Sequence, residues 1–211
     1  MALLVAVFLP LFVKAALAES DWEYWSQFEA KIELKNDLSL LVKPELRFSD
    51  DMSDHYYTHL EIGLDWKVNS WLAVSPCYRH VEQKKNDNWS TEKRPHLNAT
   101  FKLKMSEKIK ISNRFRLEYR IMESNETFRY TNKTTLFLPS VTEFKIEPYL
   151  ADEFFYDFDE GFHNKNRIFA GAEMKITENW KAGIAYILES RKKGDDWTDV
   201  NVLVTTIKYS F

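Results

Sequence analysis

Much of what staples or bends a small fold is scarce in this chain of 211 residues. It has a single cysteine, Cys77, so no internal disulfide can form. Five glycines and six prolines are too few for a collagen-like or disordered polymer. Beyond residue 18 no apolar run is long enough for a membrane-crossing helix, which needs about 20 residues. Neither sign of charge dominates: the formal net charge is −3, with acids and bases interspersed, which gives no support to nucleic-acid binding. No internal repeat longer than a hairpin is visible.

Aromatic side chains, by contrast, are plentiful at 15%, and Trp and Tyr favour a bilayer interface. The first residues add a compartment. Ala2 to Val13 are almost wholly apolar, and Ala16-Leu17-Ala18 forms an Ala-x-Ala cleavage site before Glu19. This pattern predicts a secretory signal peptide over residues 1–18, although no Lys or Arg precedes the apolar stretch. An uncleaved N-terminal anchor is the alternative. The mature domain expected is then 19–211.

Along that domain apolar and polar residues alternate almost without a break. Leu60, Ile62, Leu64 and Trp66 alternate with Glu61, Gly63, Asp65 and Lys67, and Ile109 to Ile121 opposes apolar positions to Lys110, Arg114, Arg116, Glu118 and Arg120. The strand period is two, so each segment has one apolar and one charged face. The chain ends in the same way, with Leu203, Thr205, Ile207, Tyr209 and Phe211 on one face. A soluble sheet gains little from an exposed terminal aromatic, whereas a strand closing a lipid-embedded barrel places it in the interfacial girdle. Leu203, Ile207, Tyr209 and Phe211 therefore read as a membrane-assembly signal of the kind found at the C-terminus of outer-membrane barrels. The fold class expected is all-β, an antiparallel transmembrane β-barrel in the bacterial outer membrane. A soluble periplasmic β-barrel that binds a ligand gives the same periodicity; the leader and the terminal Phe favour the membrane.

Tight turns are expected at Lys35–Asp37, Asn69–Ser70, Ser106–Glu107, Pro139–Ser140 and Thr177–Asn179. Longer external loops are expected at Asp50–Asp54, Gln83–Lys93, Glu123–Thr127, Asp157–Asn164 and Arg191–Asp196. About eleven segments can be counted. Single-chain bacterial barrels normally have an even number, so ten or twelve strands are expected, with twelve favoured.

The charged face would line the lumen. Arg47, Arg79, Arg114, Arg116, Arg120, Arg129 and Arg167 share it with Glu45, Glu61, Glu118, Glu147, Glu153 and Glu173. Charges inside a barrel must pair or be wet, and the arginine fork suits two-point pairing with carboxylates. Two readings follow: an ion-pair ladder filling a small barrel, or a polar constriction in a narrow pore.

Other chemistry is thin. His55 and His59 have the spacing of a helical metal pair, but on a strand four residues span roughly 13 Å, too far for one zinc. The stretch Asp157–Gly161 is acidic and Gly-ended yet lacks the register of a calcium loop, and a solvated loop is expected there. Asn88, Asn98, Asn125 and Asn132 match the N-glycosylation pattern, which carries no meaning in a bacterial protein. An outer-membrane lipid-modifying enzyme would need a nucleophile beside a base on the outer face near the extracellular rim; His80 is the one histidine at such a position, and no Ser stands beside it. No cofactor, metal or catalytic group is expected.

In order along the chain come Tyr78-Arg79, Asn113-Arg-Phe-Arg-Leu-Glu118-Tyr-Arg120, Arg129-Tyr130, Pro148-Tyr-Leu-x-x-Glu153-x-Phe155 and Asn166-Arg167-x-x-x-Gly171. Together they resemble the bacterial outer-membrane barrel family catalogued only as a domain of unknown function, common in Bacteroidetes-type proteomes. Thr131 and Lys133 depart from it, since the family often carries further basic residues there. The resemblance implies a barrel and a location over residues 20–211 but no substrate. The partners expected are outer-membrane lipid, the barrel-assembly machinery and small polar solutes. The role expected is a narrow pore or a structural envelope barrel.

Overall fold

The computed structural model describes residues 22–85, 87–141, 145–159, 161–194 and 196–211. The leader expected over 1–18 lies outside the described residues. Eleven strands follow one another: β1 (Trp22–Lys35), β2 (Leu38–Ser49), β3 (Asp54–Lys67), β4 (Leu72–Lys85), β5 (Asn88–Lys104), β6 (Lys110–Met122), β7 (Glu126–Phe137), β8 (Ile146–Asp157), β9 (Phe162–Lys175), β10 (Trp180–Lys193) and β11 (Asp196–Ser210). Among the described residues there is no helix. Each strand pairs with the next, and β11 returns to β1 to close a barrel.

Closure corrects the expected even count. All consecutive pairs are antiparallel, but β1 lies parallel to β11, from Trp22 opposite Asn201 to Lys31 opposite Ser210. With an odd number of strands the first and last run in the same direction, so a closed ring must contain one parallel pair. A twelfth strand is not needed: the odd count is absorbed at this seam. The Phe211 amide reaches across it to the Lys31 carbonyl at 2.9 Å, and the Glu33 amide returns to the Phe211 carbonyl at 2.8 Å.

The turn pattern also departs from expectation. Two of the segments read as long external loops, Gln83–Lys93 and Arg191–Asp196, are mostly strand: β4 and β5 pair in register out to Lys85 opposite Asn88. β10 and β11 pair out to Lys193 opposite Asp196. Alternation weakens there because the polar residues sit on both faces of strands that project beyond an apolar belt. At the other end the expected tight turn at Pro139–Ser140 is instead the stretch between Phe137 and Ile146. The strands run 12 to 17 residues, longer than the roughly 9–11 that cross a bilayer.

The outer surface is what lipid requires. Leu46, Leu60, Ile62, Leu64, Leu97, Leu117, Ile168 and Ile184 are exposed around the waist of the barrel. A water-facing protein rarely shows an apolar band this continuous. Rings gather at both ends of the band. Trp71 stacks on Phe101, which meets Phe115 edge-on, and Trp180 lies 4.7 Å from Tyr209 at the end that carries Phe211. At the opposite end Phe48, His55 and Trp89 form a chain of rings, as do Phe154, His163 and Trp197. These are the two aromatic girdles of a membrane-spanning barrel.

Candidate functional site: the charged lumen

The inward face of every strand is set by its parity, and the charges follow. A cavity of about 590 Å³ runs along the lumen. Arg47, Glu61, Arg79, Arg114, Arg116, Glu118, Arg120, Arg129, Glu153, Arg167 and Glu173 line it. Glu147 has the inward parity but sits exposed at the start of β8, beside Glu173 in the ladder and outside the cavity wall. Leu203, Ile207, Tyr209 and Phe211 fall on the outer face, opposite the buried Val202 and Val204.

Pairing in the lumen is dense. Arg79 holds Glu61 at 2.5 Å, with Arg116 at 4.0 Å from the same carboxylate. Arg47 binds Glu45 at 2.5 Å while its guanidinium stacks 3.7 Å from the Trp25 ring. Arg94 and Arg120 both reach Glu92 at 2.6 Å. Arg120 and Arg129 also converge on Asp157. Glu189, fully buried, takes Arg167, Arg191 and Lys165. Glu61, Glu92, Asp157 and Glu189 each serve two or three cations, which is how charges this far from bulk water avoid the several kcal/mol of unpaired burial.

Several members of this network were hidden in the sequence. Glu92 lies in the segment read as loop and Arg94 just after it, and Glu189 and Arg191 lie beyond the last apolar residue of β10. Their i, i+2 spacing was the available signal. Asp157 was read as part of a solvated acidic loop. It is instead the last residue of β8, buried, and accepts bonds from Thr127 and Arg129.

The wall is not uniform. Beside the charges, Trp25, Ala151, Phe169, Ala185, Ile187, Val202 and Val204 form a buried apolar cluster on β1 and β8–β11. Tyr149 packs against it. Gly171 admits the Tyr149 ring: a Cβ there would meet the ring at 2.6 Å. Gly63 does the same for the Cys77 thiol, at 2.4 Å.

Glu61, Cys77 and His96 bring three metal-ligating atoms within 4.8 Å of one another. His96 Nδ1 lies 3.1 Å from the Arg94 carbonyl, so Nδ1 carries the proton and Nε2 faces Glu61 at 3.5 Å. The donor types suit a divalent metal, but the neighbours do not: Arg79 occupies the carboxylate and Arg116 stands beside it. His55 and His59 are split between faces, since a bulge opposite Arg47 and Phe48 turns His55 outward to Phe48 and Trp89. His59 stays in the lumen near Glu45. His80 lies on the outer face with Glu82 at 2.9 Å. Among the described residues no serine or threonine hydroxyl bonds it; Thr91 donates to Glu82 instead.

Comparisons with known proteins agree with this architecture. No curated protein matches the chain. A solved structure described as a KdgM porin superposes with a TM-score of 0.50 over 90% of this chain and 99% of its own, at 14% identity. At that identity the likeness shows the fold alone, a closed β-barrel like that porin's. A family model matches residues 22–200, and the chain belongs to that family, described as a protein of unknown function (DUF2490).

Proposed function

We propose that this protein is a narrow pore of the bacterial outer membrane for small polar solutes. The observation that carries the reading is the lumen itself. A closed ring with an apolar exterior encloses a cavity lined mainly by charged and hydroxyl side chains rather than a packed apolar core. Small barrels built only as supports can fill their interior with side chains, and polar constrictions of paired charges are how narrow pores select what passes.

The test is conductance in a planar bilayer, with protein first shown to migrate differently on SDS gels before and after boiling. Discrete channels in the wild type, altered in size when Arg116 or Arg120 is made neutral, support the pore. Heat-modifiable protein that conducts nothing supports a structural envelope barrel, the reading favoured by the near-complete burial of Glu61 and Glu189. A lipid-modifying role rests on His80 alone. It predicts altered lipid A or phospholipid profiles in a His80→Ala strain, and unchanged profiles remove it.

A further inference from the structure

The ion pairs of the lumen do not balance. Among the described residues, thirteen Lys and Arg side chains line the cavity against six Glu. Four more acids, Glu23, Glu92, Asp157 and Glu189, lie behind the wall and pair with lining cations. The bases still exceed the acids by three, in a protein whose overall charge is −3. A lumen of one sign between low-dielectric walls concentrates ions of the other.

The surplus is localised. Arg114, Lys133, Glu153 and Arg167 stand side by side in the ladder on β6, β7, β8 and β9. Glu153 accepts Arg114 at 2.5 Å and Arg167 at 3.4 Å. Lys133 has no carboxylate oxygen within ion-pair distance among the described residues; its ammonium rests 3.5 Å from the centroid of Phe169. Three cations thus share one acid, with Arg167 also drawn to Glu189. Donors around them are left over. Among the described residues, the Nε–H of Arg114 and the hydroxyl of Thr131 are buried without a partner, and Thr131, 1% exposed, lines the cavity one row from Lys133. Buried donors without acceptors are costly, and an oxyanion at this place would satisfy them.

Phe169 also says what the rest of the solute looks like. It belongs to the apolar cluster, and with Phe155, Ala185, Ile187 and Val204 it gives the cavity an apolar wall directly beside the surplus cations. We infer that Arg114, Thr131 and Lys133 form a station for a small organic carboxylate with an apolar body, the carboxylate on the cations and the body along Phe169. The inference deepens the reading of the lumen as a pore and rests on it for passage, though not for binding.

The experiment is calorimetric titration of the purified, heat-modifiable barrel with sodium benzoate, sodium acetate, inorganic phosphate and benzamide at fixed ionic strength. Benzoate is expected to bind, acetate and phosphate about 10-fold more weakly, and neutral benzamide not detectably. Lys133→Met, which breaks no ion pair, should weaken benzoate by about 10-fold, and Lys133→Arg should restore most of it. Phe169→Leu should bring benzoate toward acetate. No benzoate heat from folded wild type, equal binding of benzamide, or an unchanged Lys133→Met affinity would overturn the station. Bilayer recordings separate the two ideas. Channels with no benzoate binding leave the pore standing and the station lost; benzoate binding without channels keeps the station and overturns the pore.

Discussion

Glu189 illustrates how the residue scale works inside this barrel. It has no exposed surface and is surrounded by Arg167, Lys165 and Arg191. Replacing it with Gln keeps the volume but strips three cations of their shared counter-charge. Removing one partner of a buried pair costs about 3–5 kcal/mol, so Glu189→Gln should lower the boiling temperature at which the folded band disappears. A conservative Glu189→Asp should lower it less. Gly171 makes a steric counterpart. The Tyr149 ring lies where a side chain would go, and Gly171→Val should cost about 1–3 kcal/mol by overpacking, read as a lower midpoint in urea. The outer face follows lipid rules instead: Ile62→Lys, at the exposed waist of β3, should cost about 2–4 kcal/mol in a bilayer. Its refolding into vesicles, compared with the wild type, measures that penalty.

At the scale of elements, the β1–β11 seam distinguishes eleven strands from twelve. Gln27 and Thr206 face each other across it, with the Thr206 hydroxyl 3.3 Å from the Gln27 amide oxygen. Neighbouring strands lie about 4.8 Å apart, within the range a disulfide spans. In a Cys77→Ser background, Gln27→Cys with Thr206→Cys should therefore cross-link on oxidation, giving a band that shifts with reductant. Failure to cross-link in folded protein would place another strand between them. The hairpins at the end away from Phe211 explain why the sequence was misread there. Trp89 to Lys93 alternates poorly because Thr91 and Lys93 are polar on the face that carries Trp89, so the period that marks a lipid-facing strand fades while the backbone ladder continues.

For the whole molecule, closure converts eleven half-apolar ribbons into a surface lipid can wet and a lumen water can reach. No strand does this alone, since an isolated sheet edge in a bilayer leaves unpaired amides. Closure is also what makes the charges matter. Arg114 and Arg167 lie 53 positions apart in the chain and meet only because β6 to β9 stand in register around Glu153.

The sequence alone determined the class of the fold, the lumen-facing parity of nearly every strand and the lipid-facing terminal aromatics, because a period of two is imposed locally by the pleat and by the medium on each side. Arg47, Glu61, Arg79, Arg116 and Glu118 were legible for that reason. Pairing partners, strand number and the surplus of positive charge were decided only in three dimensions. Each depends on register between strands distant in sequence, and a shift of two residues preserves every face while changing every neighbour. The parallel seam, the apolar wall around Phe169 and the seat of the Lys133 ammonium on that ring belong to that second group: they exist because the ring closes where it does.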